Sequence, residues 1–330
     1  MARPMRRILI TGAGGFVGRH ALAALQASHS HGDRLLGIGR ELPRHAPDGV
    51  ELRAVDLLDA AALNGIVRAF APTHVLHLAA LASVAQASGS PAETWRGNIV
   101  GLLNLAEAIA RGEPDATLVF ASSGEVYGRS FLTGLPLTET AVPEPANAYA
   151  RTKLAGEAML GDILPAVGAR LIVARPFNHI GPGQDERFVV ASFASQIARI
   201  EAGLSPPVLE VGDLTAQRDF LDVADVVAAY AALIEASAEL PAKSLFNVAS
   251  GVARPVADLL AGLVAAARVP FEVRVSPNRL RPSEIPTASG DASALAQATG
   301  WTPRVALTEA LAAILDDARQ RVRTEVEIKP

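Results

Sequence analysis

The segment RRILITGAGGFVG, residues 6–18, most limits what this chain can become. Its first half is a short run of isoleucine and leucine with the signature of a buried strand. Its second half sets Gly12, Gly15 and Gly18 at three-residue spacing and opens the amphipathic run FVGRHALAALQAS. Glycines in such a turn let a ligand approach the backbone closely, and the last one lets the helix pack on the strand. The free amides at the start of the helix attract an anion, so this cradle predicts the diphosphate of a dinucleotide.

The same alternation continues along the chain. RRILIT, RLLGIG, VELRAV, THVLHLA, ATLVFAS and ARLIVAR are brief apolar runs, as expected of parallel strands buried on both faces. Helical stretches such as FVGRHALAALQAS and TWRGNIVGLLNLAEAIAR lie between them. This pattern predicts an α/β chain with a Rossmann-type, doubly wound parallel sheet. After Arg175, prolines punctuate RPFNHIGPG, LSPPVLEVG and SPNRLRPSEIP, which predicts a smaller C-terminal α/β substrate-binding lobe. The chain is expected to return to the sheet near SLFNVAS. The dinucleotide domain is therefore expected at 1–175 plus about 219–250, and the substrate lobe at 176–218 and 251–330.

Composition excludes several classes. The chain has 330 residues, half of them hydrophobic, enough for a large core in two lobes. A net charge of −4 argues against a nucleic-acid partner, which would call for a basic surplus. Without cysteine there is no disulfide, thiolate nucleophile or zinc–thiolate site. No uninterrupted apolar run approaches the ~20 residues of a membrane span. The start MARPMRRILITG lacks the apolar stretch of a secretory signal, so a cytoplasmic protein is expected. His29 with His31, and His74 with His77, lack carboxylates at ligand-like spacing, so no metal is expected. Trp95 and Trp301 are read as packing residues.

The end of the second strand bears on the choice of cofactor. An acidic side chain there would bind the ribose hydroxyls and select NAD. RLLGIGR ends instead in Arg40, with Arg44 close behind, and a guanidinium suits a 2′-phosphate. NADP(H) is the expected cofactor, with NAD(H) as the alternative. Asp56, after the third strand, is expected to meet the adenine amine.

A second short stretch carries the chemistry. In NAYARTKLAGEAML, Tyr149 precedes Lys153 by four residues, in a chain with only three tyrosines and three lysines. Pro145 and Asn147 lead into good helix formers, so both side chains should share one helix face. An adjacent ammonium favours phenolate, so Tyr149 is expected to have a lowered pKa and to serve as a proton donor or acceptor.

TGAGGFVG, HLAA, ASSGEVYG and YARTK, in this order, closely resemble the extended short-chain dehydrogenase/reductases, over essentially the whole chain. The resemblance implies that Ser123 completes a triad with Tyr149 and Lys153, and that Lys153 binds the nicotinamide ribose. It further implies cofactor contacts from Phe16 and Val17, from Leu57, and from Leu78, Ala79 and Ala80, with Asn98 and Pro176. RPFNHIGPGQ, QRDFLDVADVV and RLRPSEIPTASGD resemble the nucleotide-sugar branch, and most closely its GDP-6-deoxy-D-mannose reductases. That likeness implies substrate contacts from Asn178 near the sugar or its diphosphate and from Arg218 and Arg281 on the phosphates. Ser83 is expected near the sugar and Glu284 near the ribose or base. The implied reaction is NADPH-dependent reduction of the 4-keto group of a GDP-linked 4-keto-6-deoxyhexose, giving GDP-D-rhamnose or its C4 epimer, by a homodimer. Glu125 occupies the position of the C5 base in the related GDP-mannose 4,6-dehydratases, which keeps dehydration open. A 4-ketoreductase or epimerase of dTDP- or UDP-sugars and a non-catalytic dinucleotide sensor are the other readings. The helices at 91–111 and 147–168 are the expected dimer contacts.

Overall fold

A computed structural model describes residues 5–27, 32–43, 45–82, 89–280 and 284–328. All six runs read as strands form strands: β1 (Arg7–Thr11), β2 (Arg34–Gly39), β3 (Val50–Ala54), β4 (His74–His77), β5 (Thr117–Ala121) and β6 (Arg170–Pro176). The chain returns as β10 (Lys243–Val248), which pairs in parallel with β6. The resulting seven-stranded sheet has the order β10-β6-β5-β4-β1-β2-β3 and is parallel throughout. Apolar side chains on both faces of its central strands leave each face needing a helical cover. On one side, α1 (Phe16–Ala27) packs with α7 (Val223–Glu235) over Ile8, Ile10 and Leu76. On the other, α2 (Ala60–Phe70), α4 (Gly101–Gly112) and α5 (Ala148–Ala166) cover Leu9, Leu36 and Leu118. The edge strand β3 departs from the expected pattern and is half-exposed, because at the end of the sheet it has a strand neighbour, β2, on one side only.

Strand order reverses between β1 and β4, so the connections leaving them diverge and open a crevice at the carboxyl ends of the strands. A second lobe closes over that end. Its small sheet is built on β9 (Gln217–Asp222), flanked by β11 (Ala253–Pro255) and β13 (Thr287–Ala288), with β7 (Asn178–Ile180) also on β9. A separate core joins α6 (Val189–Glu201), α8 (Val256–Ala265) and the C-terminal helix α10 (Leu307–Ile328) to β8 (Val208–Val211), which pairs in parallel with β12 (Glu272–Val275). Buried Asp219 stitches the lobe together by accepting from Ser250 Oγ (2.6 Å) and from the amides of Ser250, Gly251 and Gly290. Helix α9 (Ser293–Thr299) and Trp301 return to the large core.

Trp301 is buried and its indole donates to the Asp225 carbonyl at 3.0 Å. Trp95 departs from its expected packing role: it stands on the outside of α3 (Pro91–Trp95), 40% exposed. No helix among the described residues is long and apolar enough to cross a membrane.

Candidate active site

The glycine loop is a fitted cradle. A Cβ on Gly12 would come within 2.8 Å of the Ala79 amide nitrogen, and one on Gly18 within 2.1 Å of the Gly12 carbonyl. Gly12 also holds a φ of +72°, open to glycine at little cost. Gly14, which the three-residue spacing passes over, is just as tight: its Cβ would lie 2.2 Å from the Glu41 carbonyl. Above the loop, the first-turn amides of α1 at Phe16, Val17 and Gly18 lack intrahelical partners, as at every helix start. These features suit a dinucleotide diphosphate, and the residues present fit the group that the sequence implies.

The cradle is one end of a cleft of about 1430 Å³ at the carboxyl ends of the strands. Its wall includes Arg40 after β2, Asp56 and Leu57 after β3, and Leu78, Ala79 and Ala80 after β4. Asn98, Ser123, Glu125, Tyr149, Pro176 and Asn178 continue it toward the second lobe. The cleft therefore gathers residues spread over most of the chain, and it includes each of the expected cofactor contacts except Lys153.

Ser123, Tyr149 and Lys153 converge on the floor. Ser123 follows β5 and caps a short 3₁₀ turn, its Oγ accepting from the Glu125 amide at 3.1 Å. Across from it, Asn147 caps α5 by accepting from the Ala150 amide at 2.8 Å, which puts Tyr149 in the first helical turn. The Ser123 side chain lies close enough to the Tyr149 phenol to favour its ionised form. Lys153 lies one turn on, under the tyrosine and buried out of the cleft, with Nζ 5.9 Å from the phenol ring centroid and 4.9 Å from that of Phe120. Its ammonium donates to the Ala121 carbonyl at 2.7 Å.

This geometry corrects one expectation. Tyr149 is not lowered by its lysine neighbour: burial foremost, and then the charge of Glu125, push the phenol up to about 12, against the opposing effect of Ser123. Lys153 turns to a main-chain carbonyl and, with its own pKa pulled down to about 7, carries no charge where the phenol titrates. Burial in turn pulls Lys153 down to about 7, opposed by the charge of Glu157.

Glu125 faces the same floor and accepts from Asn147 Nδ2 at 3.1 Å. Asn98 sits inside a π turn (Arg96–Val100) that interrupts the helix expected there, a widening often found at functional sites. Its Oδ1 accepts from the Leu81 amide at 2.8 Å, while Nδ2 donates to Thr152 Oγ1 at 3.0 Å. Asn98 thereby ties the loop after β4 to the helix carrying Tyr149. Among the described residues, no group of three or more His, Asp or Glu side chains could hold a metal ion.

Residues 8–249 match the NAD dependent epimerase/dehydratase family. This chain belongs to that family. Among its curated relatives is the GDP-6-deoxy-D-mannose reductase of Pseudomonas aeruginosa, 39% identical over 97% of this chain and 99% of the relative. The UDP-glucose 4-epimerase of Mycolicibacterium smegmatis is 31% identical over 96% and 99%. Among solved structures, RMD from Pseudomonas aeruginosa complexed with NADPH superposes with a TM-score of 0.84, at 36% identity over 96% of this chain and 100% of that one. The UDP-glucose 4-epimerase of Thermus thermophilus in complex with NAD gives 0.82, at 32% identity over 95% and 99%.

Within this member of the epimerase/dehydratase family, the expected substrate contacts scatter. Asn178 lines the cleft. Arg218 does not: its guanidinium donates to the carbonyls of Gln217 (2.8 Å) and Pro286 (3.3 Å), where β13 joins β9. Glu284 also stands off the cleft, exposed and paired with Arg129 at 3.2 Å. Arg44, Ser83 and Arg281 lie outside the described residues. The second lobe supplies cleft residues that sequence reasoning missed. Gln184 is buried, donates to the His179 carbonyl at 2.9 Å, and holds Oε1 without a hydrogen-bond partner. The loop before it is held by Arg19 on α1 and by Asp317 on α10, each bonded to Gly183. The GPGQ motif was the available signal for Gln184; no local pattern announced Asp317.

Proposed function

We propose that this protein reduces the 4-keto group of GDP-4-keto-6-deoxy-D-mannose at the expense of NADPH. The observation that carries the choice of reaction is the near full-length similarity to the Pseudomonas aeruginosa reductase. The cofactor choice is supported by Arg40 at the end of β2, on the wall of the cleft, and by the NADPH complex of the similar structure.

A nicotinamide bound in the cleft supplies the hydride equivalent. The chain's own residues do the rest. Tyr149 donates a proton to the carbonyl oxygen of the sugar, and its raised pKa keeps that proton in place near neutral pH. Ser123 hydrogen-bonds the same oxygen, where charge develops only as the transition state forms. Lys153, beneath the tyrosine, takes the ribose hydroxyls by turning its ammonium from the Ala121 carbonyl toward the cleft. Asn178 meets the sugar or its diphosphate, and Arg281 serves the phosphates, while Arg218 and Glu284 reach the nucleotide only by leaving the Gln217 and Pro286 carbonyls and Arg129. Residues 1–175 and about 219–250 serve the cofactor, with 176–218 and 251–330 serving the nucleotide sugar. The protein works as a homodimer through the helices at 91–111 and 147–168, a reading supported by exposed Trp95 and Val100. A cytoplasmic setting suits its charged, soluble reactants.

Glu125 favours a second reading, since a carboxylate on the cleft beside Tyr149 could remove the C5 proton of GDP-mannose. One experiment separates the two. With GDP-4-keto-6-deoxy-D-mannose, the reductase consumes one NADPH per product and leaves GDP-mannose untouched, and Glu125→Gln retains at least about a tenth of the rate. Conversion of GDP-mannose without added NADPH, abolished by Glu125→Gln, would overturn the assignment.

A further inference from the structure

Helix α5 carries one more charged residue on the face of Tyr149 and Lys153. Glu157 lies a further turn along, and its carboxylate is held from two strands at once. Ser122, next to Ser123 at the end of β5, donates to Glu157 Oε1. Arg175 on β6 donates Nε to Oε1 at 3.0 Å and Nη2 to Oε2 at 2.6 Å. Arg175 is itself fixed, 4% exposed, with its guanidinium 4.8 Å from the Tyr127 ring centroid. The Tyr127 hydroxyl in turn donates to Asn247 on β10 at 2.7 Å. A buried polar chain therefore runs from the catalytic helix across three strands, through Glu157.

We propose that Glu157 is a positioning residue for this site: it fastens the strand end bearing Ser123 to the helix bearing Tyr149, and it supplies the negative charge that keeps buried Lys153 an ammonium. The role of the ammonium rests on the reductase reading, but the placement of the charge does not. The surroundings of Lys153 offer little other compensation. From β4, His77 is neutral, its pKa pulled down to about 3 by burial and by Lys153 itself. From β5 come only the Ala121 carbonyl and the Phe120 ring. From β6, Arg175 is a like charge already engaged by Glu157. Glu125, after β5, bears on Tyr149 and Arg218. Burial alone drives the lysine toward its neutral form, and the charge of Glu157 is what opposes it.

The chain's three lysines make a direct test practicable. Lysine labelled at Cε is introduced, and the Lys153 signal is assigned by its loss in Lys153→Met and titrated in the full-length protein. Glu157→Gln should lower its midpoint by at least about one pH unit, the effect expected of removing a nearby opposite charge. Because Glu157→Gln leaves Arg175 uncompensated and endangers folding, Glu157→Gln/Arg175→Met is measured against Arg175→Met and should show the lower midpoint of the two. Ser122→Ala, which removes a hydrogen bond but no charge, should leave the midpoint in place. The basic limb of the kcat profile for NADPH oxidation should move with the NMR midpoint. Equal Lys153 midpoints in folded Glu157→Gln/Arg175→Met and Arg175→Met overturn the proposal. Absence of turnover by the wild-type protein refutes the reductase reading alone, because the titration judges Glu157 without it.

Discussion

Lys153→Met should make the protein more stable at neutral pH while removing its activity. The lysine is 4% exposed, and burial pulls its pKa from 10.5 to about 7. The unfolded chain therefore binds more protons than the folded one between those values, and stability must rise with pH across that window. At about 1.36 kcal/mol for each pH unit below the unfolded-state pKa, the buried amine costs roughly 4 kcal/mol at pH 7 and roughly 1 kcal/mol at pH 9.5. Methionine carries no such cost, but it leaves the Ala121 carbonyl unpaired, a loss of about 1–3 kcal/mol at any pH. The variant should thus gain about 1–3 kcal/mol at pH 7 and be neutral or weaker at pH 9.5. Urea unfolding of both proteins at the two pH values, followed by circular dichroism, measures the difference directly. A stability difference that does not change between pH 7 and pH 9.5 refutes the argument, because the unfavourable burial of an ionisable amine would then be absent.

Three further outcomes follow from the site. Tyr149→Phe should lower kcat by about 10²–10⁴-fold while leaving NADPH affinity, read by cofactor fluorescence, nearly unchanged, since only the proton donor is lost. Arg40→Ala should weaken NADPH about tenfold to a hundredfold, the worth of one charge-assisted contact, and NADH much less; equal effects in a titration of both cofactors would make Arg40 a bystander. Gly18→Ala should weaken NADPH at least about tenfold, because its methyl would meet the Gly12 carbonyl at 2.1 Å and must push α1 away from the cradle; unchanged binding by calorimetry would contradict this.

Much of this protein is legible in its sequence because the relevant physics is local. The strands announce themselves by brief apolar runs, and Gly12 and Gly18 mark a turn that other side chains would not fit. Tyr149 and Lys153 share a helix face for reasons of period alone, and Asn147 caps that helix as its side chain allows. Tertiary structure decided matters that depend on distant neighbours. Lys153 turned to the Ala121 carbonyl on strand β5, and burial with Glu125 raised the tyrosine that a two-residue view expected to be lowered. The pairing of β9 with β13 turned Arg218 toward main-chain carbonyls, and folding brought Asp317 of the C-terminal helix to the loop over the cleft, more than 130 residues from its partner Gly183. Burial and charge environment arise from contacts across the whole fold, so no local pattern can carry them. Helical period and glycine sterics are settled within a few residues, and the sequence by itself was enough for those.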